Sequence, residues 1–382
     1  MTGMDASASA WPSVTALRWI LLKHRLRQGL RSSAPLRLLR RAYESPWLPG
    51  TPAVPASSGP GPEIRGLDGP VPGAPAVELL ILVYNLMWDQ PLNLDPAEVP
   101  PGVTFTLDRR RFAEADAIVF HLPGLPPGAL RHLPKAPGQL WAAWSFECAR
   151  NYPCLNDERF MRRFDLRLTY RRDSEIFMPY LCYYGPGVLD HLRLPPRPKP
   201  AGAGPDSPLC LFLASGYNET SGRTLYAREL MRYLSVHSYG RCLNNRRFEG
   251  DDGTLRAKHD LQAGYKFTLA FENTCSEDYV SEKFFSALIM GSVPVYLGAP
   301  NVDDFAPGEH CYIDAREFKT PRQLAEYLRY LDAHEDEYQA YLAWKTRPFR
   351  PGFVKMAEAA RVPSLVRLAR RVQLFRLTPG RS

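Results

Sequence analysis

The sequence predicts an α/β protein built from two successive parallel-sheet domains that face each other across a cleft. Three observations carry this. Short apolar, β-branched and aromatic runs recur with helix-sized gaps between them, the pattern of strand–helix–strand units. The runs fall into two groups on either side of a proline-rich stretch from Pro195 to Pro208. A chain of 382 residues is also longer than a single core usually fills.

In the first group, Val77–Tyr84 reads as a strong strand and Phe105 with Leu107 as a short one. Ala115–His121, Gln139–Phe146 and Leu166–Tyr170 follow as strands. The second group opens with the strand Leu209–Ala214. Residues 223–234 then have helical periodicity, with Leu225, Leu230, Met231 and Leu234 on one side. His237–Leu243 reads as a short strand running into a loop, Tyr265–Phe271 as a buried strand, and Phe284–Met290 as an apolar helix face. After the strand Val293–Leu297, Thr320 is placed to cap a helix reaching Leu331, with Pro321 in its first turn. These readings divide the chain into a basic segment 1–45, a linker 46–75, a first domain 76–190, a second linker 191–207, a second domain 208–345 and a basic segment 346–382.

The net charge of +8 is carried by the ends: residues 1–45 balance to +6 and residues 346–382 to +8, which leaves the body at −6. A basic surface is therefore not interleaved with the folded domains, which argues against nucleic acid as a partner. Both ends mix apolar residues with arginine, as in Leu365, Val366, Leu368 and Val372 among Arg367, Arg370 and Arg371. That pattern fits basic amphipathic helices on an anionic membrane surface, and equally helices docked on the body with arginine facing water. No apolar run approaches the roughly 20 residues needed to span a bilayer. Seven scattered cysteines without a Cys-x-x-Cys pair fit reduced, mostly buried thiols.

The stretch from Phe271 to Lys283 holds most of the chemistry. A polar loop at a strand's carboxyl end leads into a helix whose N-cap is Ser281. In open α/β sheets ligands bind at this position, and the helix N-terminus with Lys283 beside it suits a phosphate. The residues themselves, Tyr265-Lys-Phe, Phe271-Glu-Asn, Tyr279-Val-Ser-Glu-Lys283 and Gly291-Ser-Val-Pro-Val-Tyr-Leu-Gly298, closely resemble the signature of glycosyltransferase family 10, the α-1,3-fucosyltransferases. Leu168-Thr-Tyr-Arg-Arg-Asp-Ser-Glu-Ile-Phe-Met-Pro-Tyr180 is a second strong match. The resemblance covers residues 77–345.

It implies a GT-B fold of two Rossmann-like domains and inverting transfer of L-fucose from GDP-β-L-fucose to a GlcNAc-containing glycan, as in cell-surface polysaccharide. Arg223 resembles the family's diphosphate-holding arginine, in a segment where Gly216 stands in place of a frequent Asn. Asn273 and Tyr279 resemble donor-site positions, Glu282 the carboxylate facing the fucosyl ring, and Lys283 a partner of the phosphates. Glu147, in Trp144-Ser-Phe-Glu147, resembles the proposed general base, although Cys148-Ala-Arg150 departs from the usual Ser-Pro that follows. Glu272 reads as shaping the loop or touching the donor. Arg171, Arg172 and Asp173 read as a structural ion-pair cluster.

The absence of an Asp-x-Asp pair in either cleft-facing region fits a metal-independent donor site with no cofactor beyond GDP-fucose. The missing anchor and Cys-x-x-Cys fit a cytoplasmic enzyme of bacterial type, peripheral on the inner membrane; a Golgi location is the alternative for a eukaryotic chain. A GT-B transferase using another nucleotide sugar, and a non-catalytic glycan- or nucleotide-binding relative, stay open beside this reading.

Overall fold

The computed structural model describes residues 78–92, 94–126, 128–199, 209–248 and 255–377. The basic segment 1–45 and the linker 46–75 lie outside these residues, as do residues 200–208. The first half contains strands β1 (Leu79–Asn85), β2 (Val103–Thr106), β3 (Ala117–His121), β4 (Leu140–Ser145), β5 (Leu166–Thr169) and β6 (Ile176–Phe177), and helices α1 (Glu158–Met161) and α2 (Val188–Arg193). Its sheet is ordered β2-β1-β3-β4-β5-β6, and every pair is parallel. Residues 79–83 and 117–120 are buried with no polar side chain among them, as expected for strands covered on both faces.

The second half contains β7 (Cys210–Phe212), α3 (Arg223–Leu230), β8 (Val236–Ser238), α4 (Leu255–Ala263), β9 (Phe267–Phe271), α5 (Glu282–Met290), β10 (Val293–Leu297), β11 (Ile313–Asp314), α6 (Pro321–Ala333), α7 (Glu335–Ala340), α8 (Pro351–Arg361) and α9 (Ser364–Leu377). This sheet is ordered β11-β10-β9-β7-β8 and is again parallel. Two parallel α/β sheets in succession give the GT-B arrangement. β6 and β11, each two residues long, have too little sequence to show a period.

Two local readings change. α3 is shorter than residues 223–234, and Leu225 is 54% exposed while Tyr226, Ala227 and Leu230 are buried. The helix therefore turns Arg223 and Tyr226, not Leu225, toward the core. The short strand near His237 is Val236–Ser238, and the chain turns at Tyr239 and Gly240. A Cβ on Gly240 would fall 2.5 Å from the Ala214 carbonyl carbon, so only glycine allows this approach.

The chain's end returns to the first half. Leu365, Leu368, Ala369 and Val372 of α9 join the core that holds Leu79, Ile81 and Phe177. Arg367 is buried and donates to the Phe177 carbonyl at 2.6 Å, and Arg376 pairs with Asp116 at 2.7 Å. Of the two readings for the basic C-terminal segment, docking on the body is the one residues 351–377 adopt. Their apolar face is already covered, and burial of a Leu or Val side chain is worth roughly 1.5–3 kcal/mol. Among the described residues no helix is long and apolar enough to cross a membrane. All seven cysteines are unpaired.

Candidate active site

The loop between β9 and α5 is closed by its own first residue. The backbone of Glu272 continues the ladder beside Leu297, donating to its carbonyl at 2.7 Å. Its carboxylate is fully buried and accepts from the Ser281 backbone N–H at 2.7 Å and the Ser281 hydroxyl at 2.6 Å. Ser281 caps α5 as the sequence predicts. The Lys283 Nζ lies 2.9 Å from the Ser281 hydroxyl, 2.9 Å from Glu282 and 3.5 Å from Glu272. The clasp requires Gly298, because a Cβ there would meet the Glu272 Cγ at 2.5 Å.

The segment before α3 is tied to the same loop. Thr220 and Ser221 donate their backbone N–H groups to the Asn273 carbonyl, and the Ser221 hydroxyl donates to the Glu272 carbonyl at 2.6 Å. Arg223 is buried, with its guanidinium divided between Glu219 at 2.8 Å, the Gly216 carbonyl at 2.8 Å and the Phe271 carbonyl at 3.2 Å. Glu219 also accepts from the N–H and hydroxyl of Thr224, so it caps the first turn of α3. The backbone of Gly216 carries this contact, and space is open around the position an Asn side chain would take.

The first half meets this loop at the carboxyl ends of β4 and β5. Arg172 donates to Asp278 through Nε at 2.8 Å and through its backbone N–H at 3.1 Å, and it reaches Asp304 at 3.0 Å. Asp278 holds a left-handed backbone, φ 64°, and two hydrogen bonds to Asn301 help hold it there. Thr274 donates to Asn151 at 3.1 Å. Tyr170 and Tyr180 flank Tyr279 edge-on, at centroid distances of 5.0 and 6.0 Å. The Tyr180 hydroxyl donates to the Phe146 carbonyl at 2.6 Å, which fixes the end of β4. Glu147 follows at once, half-buried, with its N–H held by the Ser145 hydroxyl at 3.0 Å. Among the described residues no hydrogen bond or ion pair reaches its carboxylate.

Comparison with known proteins extends over both halves. The family description "Fucosyltransferase, N-terminal" matches residues 77–181, and "Glycosyltransferase family 10 (fucosyltransferase) C-term" matches residues 206–373. A 4-galactosyl-N-acetylglucosaminide 3-alpha-L-fucosyltransferase of Pan troglodytes is 32% identical over 298 residues, 75% of this chain and 78% of that protein. The chain belongs to glycosyltransferase family 10.

Another relative, GDP-fucose protein O-fucosyltransferase 3 of Gallus gallus, is 36% identical over 225 residues. The match covers 56% of this chain and 46% of that protein, so the chain spans about half the length of such relatives. A crystal structure of an alpha1,3-fucosyltransferase with GDP-fucose aligns with a TM-score of 0.48 and 18% identity, covering 69% of this chain and 81% of that one.

Within this family 10 chain, the predicted residues gather in one place. Burial raises the Glu147 pKa; Lys283 opposes the rise, while Glu282 and Glu272 add to it. Glu272 is also raised, chiefly by burial. For Glu282 burial works toward protonation, but Lys283 and local hydrogen bonds bring its carboxyl below the usual range. Burial alone would lower Lys283; the two glutamates reverse this and keep it protonated, while Arg223 acts against them. Lys283 is thus within electrostatic reach of Arg223, Glu272, Glu282 and Glu147.

Two predicted residues are placed differently from the rest. Tyr279 is 2% exposed, so its ring serves chiefly to pack the two halves together. Asn273 lends its backbone to the loop, and its buried Oδ1 has no partner, leaving an acceptor for a ligand's N–H or O–H. Sequence reasoning missed Glu219. It stands four residues before Arg223, a spacing at which an opposite charge is a usual signal, but its segment has no periodic pattern to mark it.

Proposed function

We propose that this protein transfers L-fucose from GDP-β-L-fucose to a hydroxyl of a GlcNAc-containing glycan, inverting the anomeric centre. The observation that carries this reading is the unpartnered, half-buried Glu147 carboxylate, opposed across the junction of the halves by Lys283. In the reaction the bond from the fucosyl C1 to the β-phosphate oxygen breaks. A bond forms from the acceptor oxygen to C1 on the opposite face, the acceptor's proton passes to Glu147, and GDP departs.

Each residue's part follows from its surroundings. Burial raises the proton affinity of Glu147 toward that of a useful base. Lys283 and the N-terminus of α5 offset the charge on departing GDP, and Arg223 joins them by exchanging Glu219 for the diphosphate. Glu282 faces the cationic character that develops on the sugar ring. With cations so placed, the proposed donor site works without a metal.

A second reading has a specific support. The relatives named protein O-fucosyltransferase match at slightly higher identity, which favours a Ser or Thr hydroxyl of a protein as acceptor. The glycan reading is preferred because the relative matched over the larger share of both chains, 75% of this one and 78% of its own, is named for a glycan. The test is GDP release from GDP-fucose in EDTA with N-acetyllactosamine as acceptor and Glu147→Ala as control. Acceptor-dependent release that collapses in the variant supports the proposal. Release only with a protein acceptor favours the second reading, and dependence on added metal overturns the metal-independent site.

A further inference from the structure

Tyr183 stands out among the aromatic residues around the proposed site. Phe146, Tyr170, Tyr180 and Tyr279 are all buried, whereas Tyr183 is 45% exposed. It belongs to a single 3-10 turn, Tyr180–Tyr184, whose two ends are fastened to different halves. At one end the Tyr180 hydroxyl donates to the Phe146 carbonyl, next to Glu147. At the other end the Tyr184 hydroxyl bonds to Ser286 at 2.6 Å and to the Glu282 carbonyl at 3.2 Å.

The turn therefore spans the gap between the end of β4 and the start of α5, and Tyr183 is held inside that gap. Its ring rests against Phe146 and Tyr180 at centroid distances of 5.1 and 5.6 Å. Its hydroxyl is within electrostatic reach of both Glu282 and Glu147, yet makes no hydrogen bond among the described residues. A large ring fixed from behind, open in front and within reach of two carboxylates is preorganised at no cost to the ligand.

We infer that Tyr183 is the platform on which the acceptor sugar lies, its ring face against the sugar's C–H face and its hydroxyl available to a sugar hydroxyl. This deepens the proposed function and rests on it. An acceptor whose hydroxyl reaches Glu147 must place its ring beside Phe146, where Tyr183 is exposed. The donor's nucleotide and phosphates belong with Arg223 and Lys283 on the second half. Aromatic faces with a polar tip suit ligands that are apolar on one side and hydroxylated at the edge.

The test compares wild type, Tyr183→Ala and Tyr183→Phe, with N-acetyllactosamine as acceptor. Tyr183→Ala should raise the acceptor KM about tenfold, leaving the GDP-fucose KM and the GDP Kd unchanged. Tyr183→Phe should keep most of the acceptor affinity, because it keeps the ring face. Saturation-transfer NMR of N-acetyllactosamine on the GDP-bound proteins reads the same contact without turnover, and thermal melting identifies a variant that is merely misfolded. The inference is overturned if acceptor KM and saturation transfer are unchanged in well-folded Tyr183→Ala. It is also overturned if GDP affinity falls as far as acceptor affinity, or if wild type binds GDP but not this sugar. A wild-type protein that binds no GDP instead defeats the donor reading on which the inference stands.

Discussion

The loop 272–283 of the second half and the end of β4 in the first half both bring glutamates to one junction, but they hold them in opposite ways. Glu272 is fully buried and spends its oxygens on Ser281 and Lys283. Glu147 is half-buried, and no described residue bonds its carboxylate. The contrast separates scaffold from reactant. A carboxylate saturated by its own loop sets the shape of the site, whereas one kept near charges but without hydrogen-bond partners is free to take a proton. Glu282 lies between these extremes, paired with Lys283 at 2.9 Å and 43% exposed.

The strongest way to break this comparison is at Glu147. Glu147→Gln should lower acceptor-dependent turnover by about 10²–10⁴ with GDP affinity unchanged in a binding titration; a variant that keeps its turnover removes Glu147 as the base. The same residue governs the pH response. Because its folded pKa is raised, it stays protonated to higher pH than an ordinary Glu, and the acid limb of kcat/KM should lie above the usual Glu range. Between its unfolded and folded pKa the native state binds more protons, so this group's contribution to stability falls as pH rises. Glu147→Gln should therefore melt no lower than wild type at neutral pH.

The next largest effect should come from the clamp between the halves. Arg172→Ala leaves the 5%-exposed Asp278 without its cation and should cost about 3–5 kcal/mol, read by chemical denaturation. A loss near that of a surface pair would show that the halves do not depend on this contact. Smaller again, Ser281→Ala removes a helix cap and a donor to Glu272, for about 1–2 kcal/mol. It should weaken GDP binding more than a surface cap such as Thr320→Ala, which lies at the start of α6. Equal effects on GDP at the two caps would mean that the Glu272 clasp does not shape the donor site.

Much of the fold was legible locally. β10 spans Val293–Leu297 as the sequence predicts, and Ser281 and Thr320 cap the helices they were placed before. Arg171 and Asp173 pair as the cluster reading has it. Arg172 does not pair within that cluster, because its partner lies 106 residues away.

The sequence by itself determined what depends on neighbouring residues: strand and helix periods, caps, the charge imbalance of the ends and the family signature. Tertiary structure alone decided what depends on distant chain segments meeting. It buried the apolar face of α9 on the first sheet, turned Leu225 outward, spent Arg223 on Glu219, and left Glu147 open beside Lys283. A side chain's partners are set by where the backbone carries it. Residues such as Glu147 and Glu272 have the same chemistry until packing gives one a full set of hydrogen bonds and the other none.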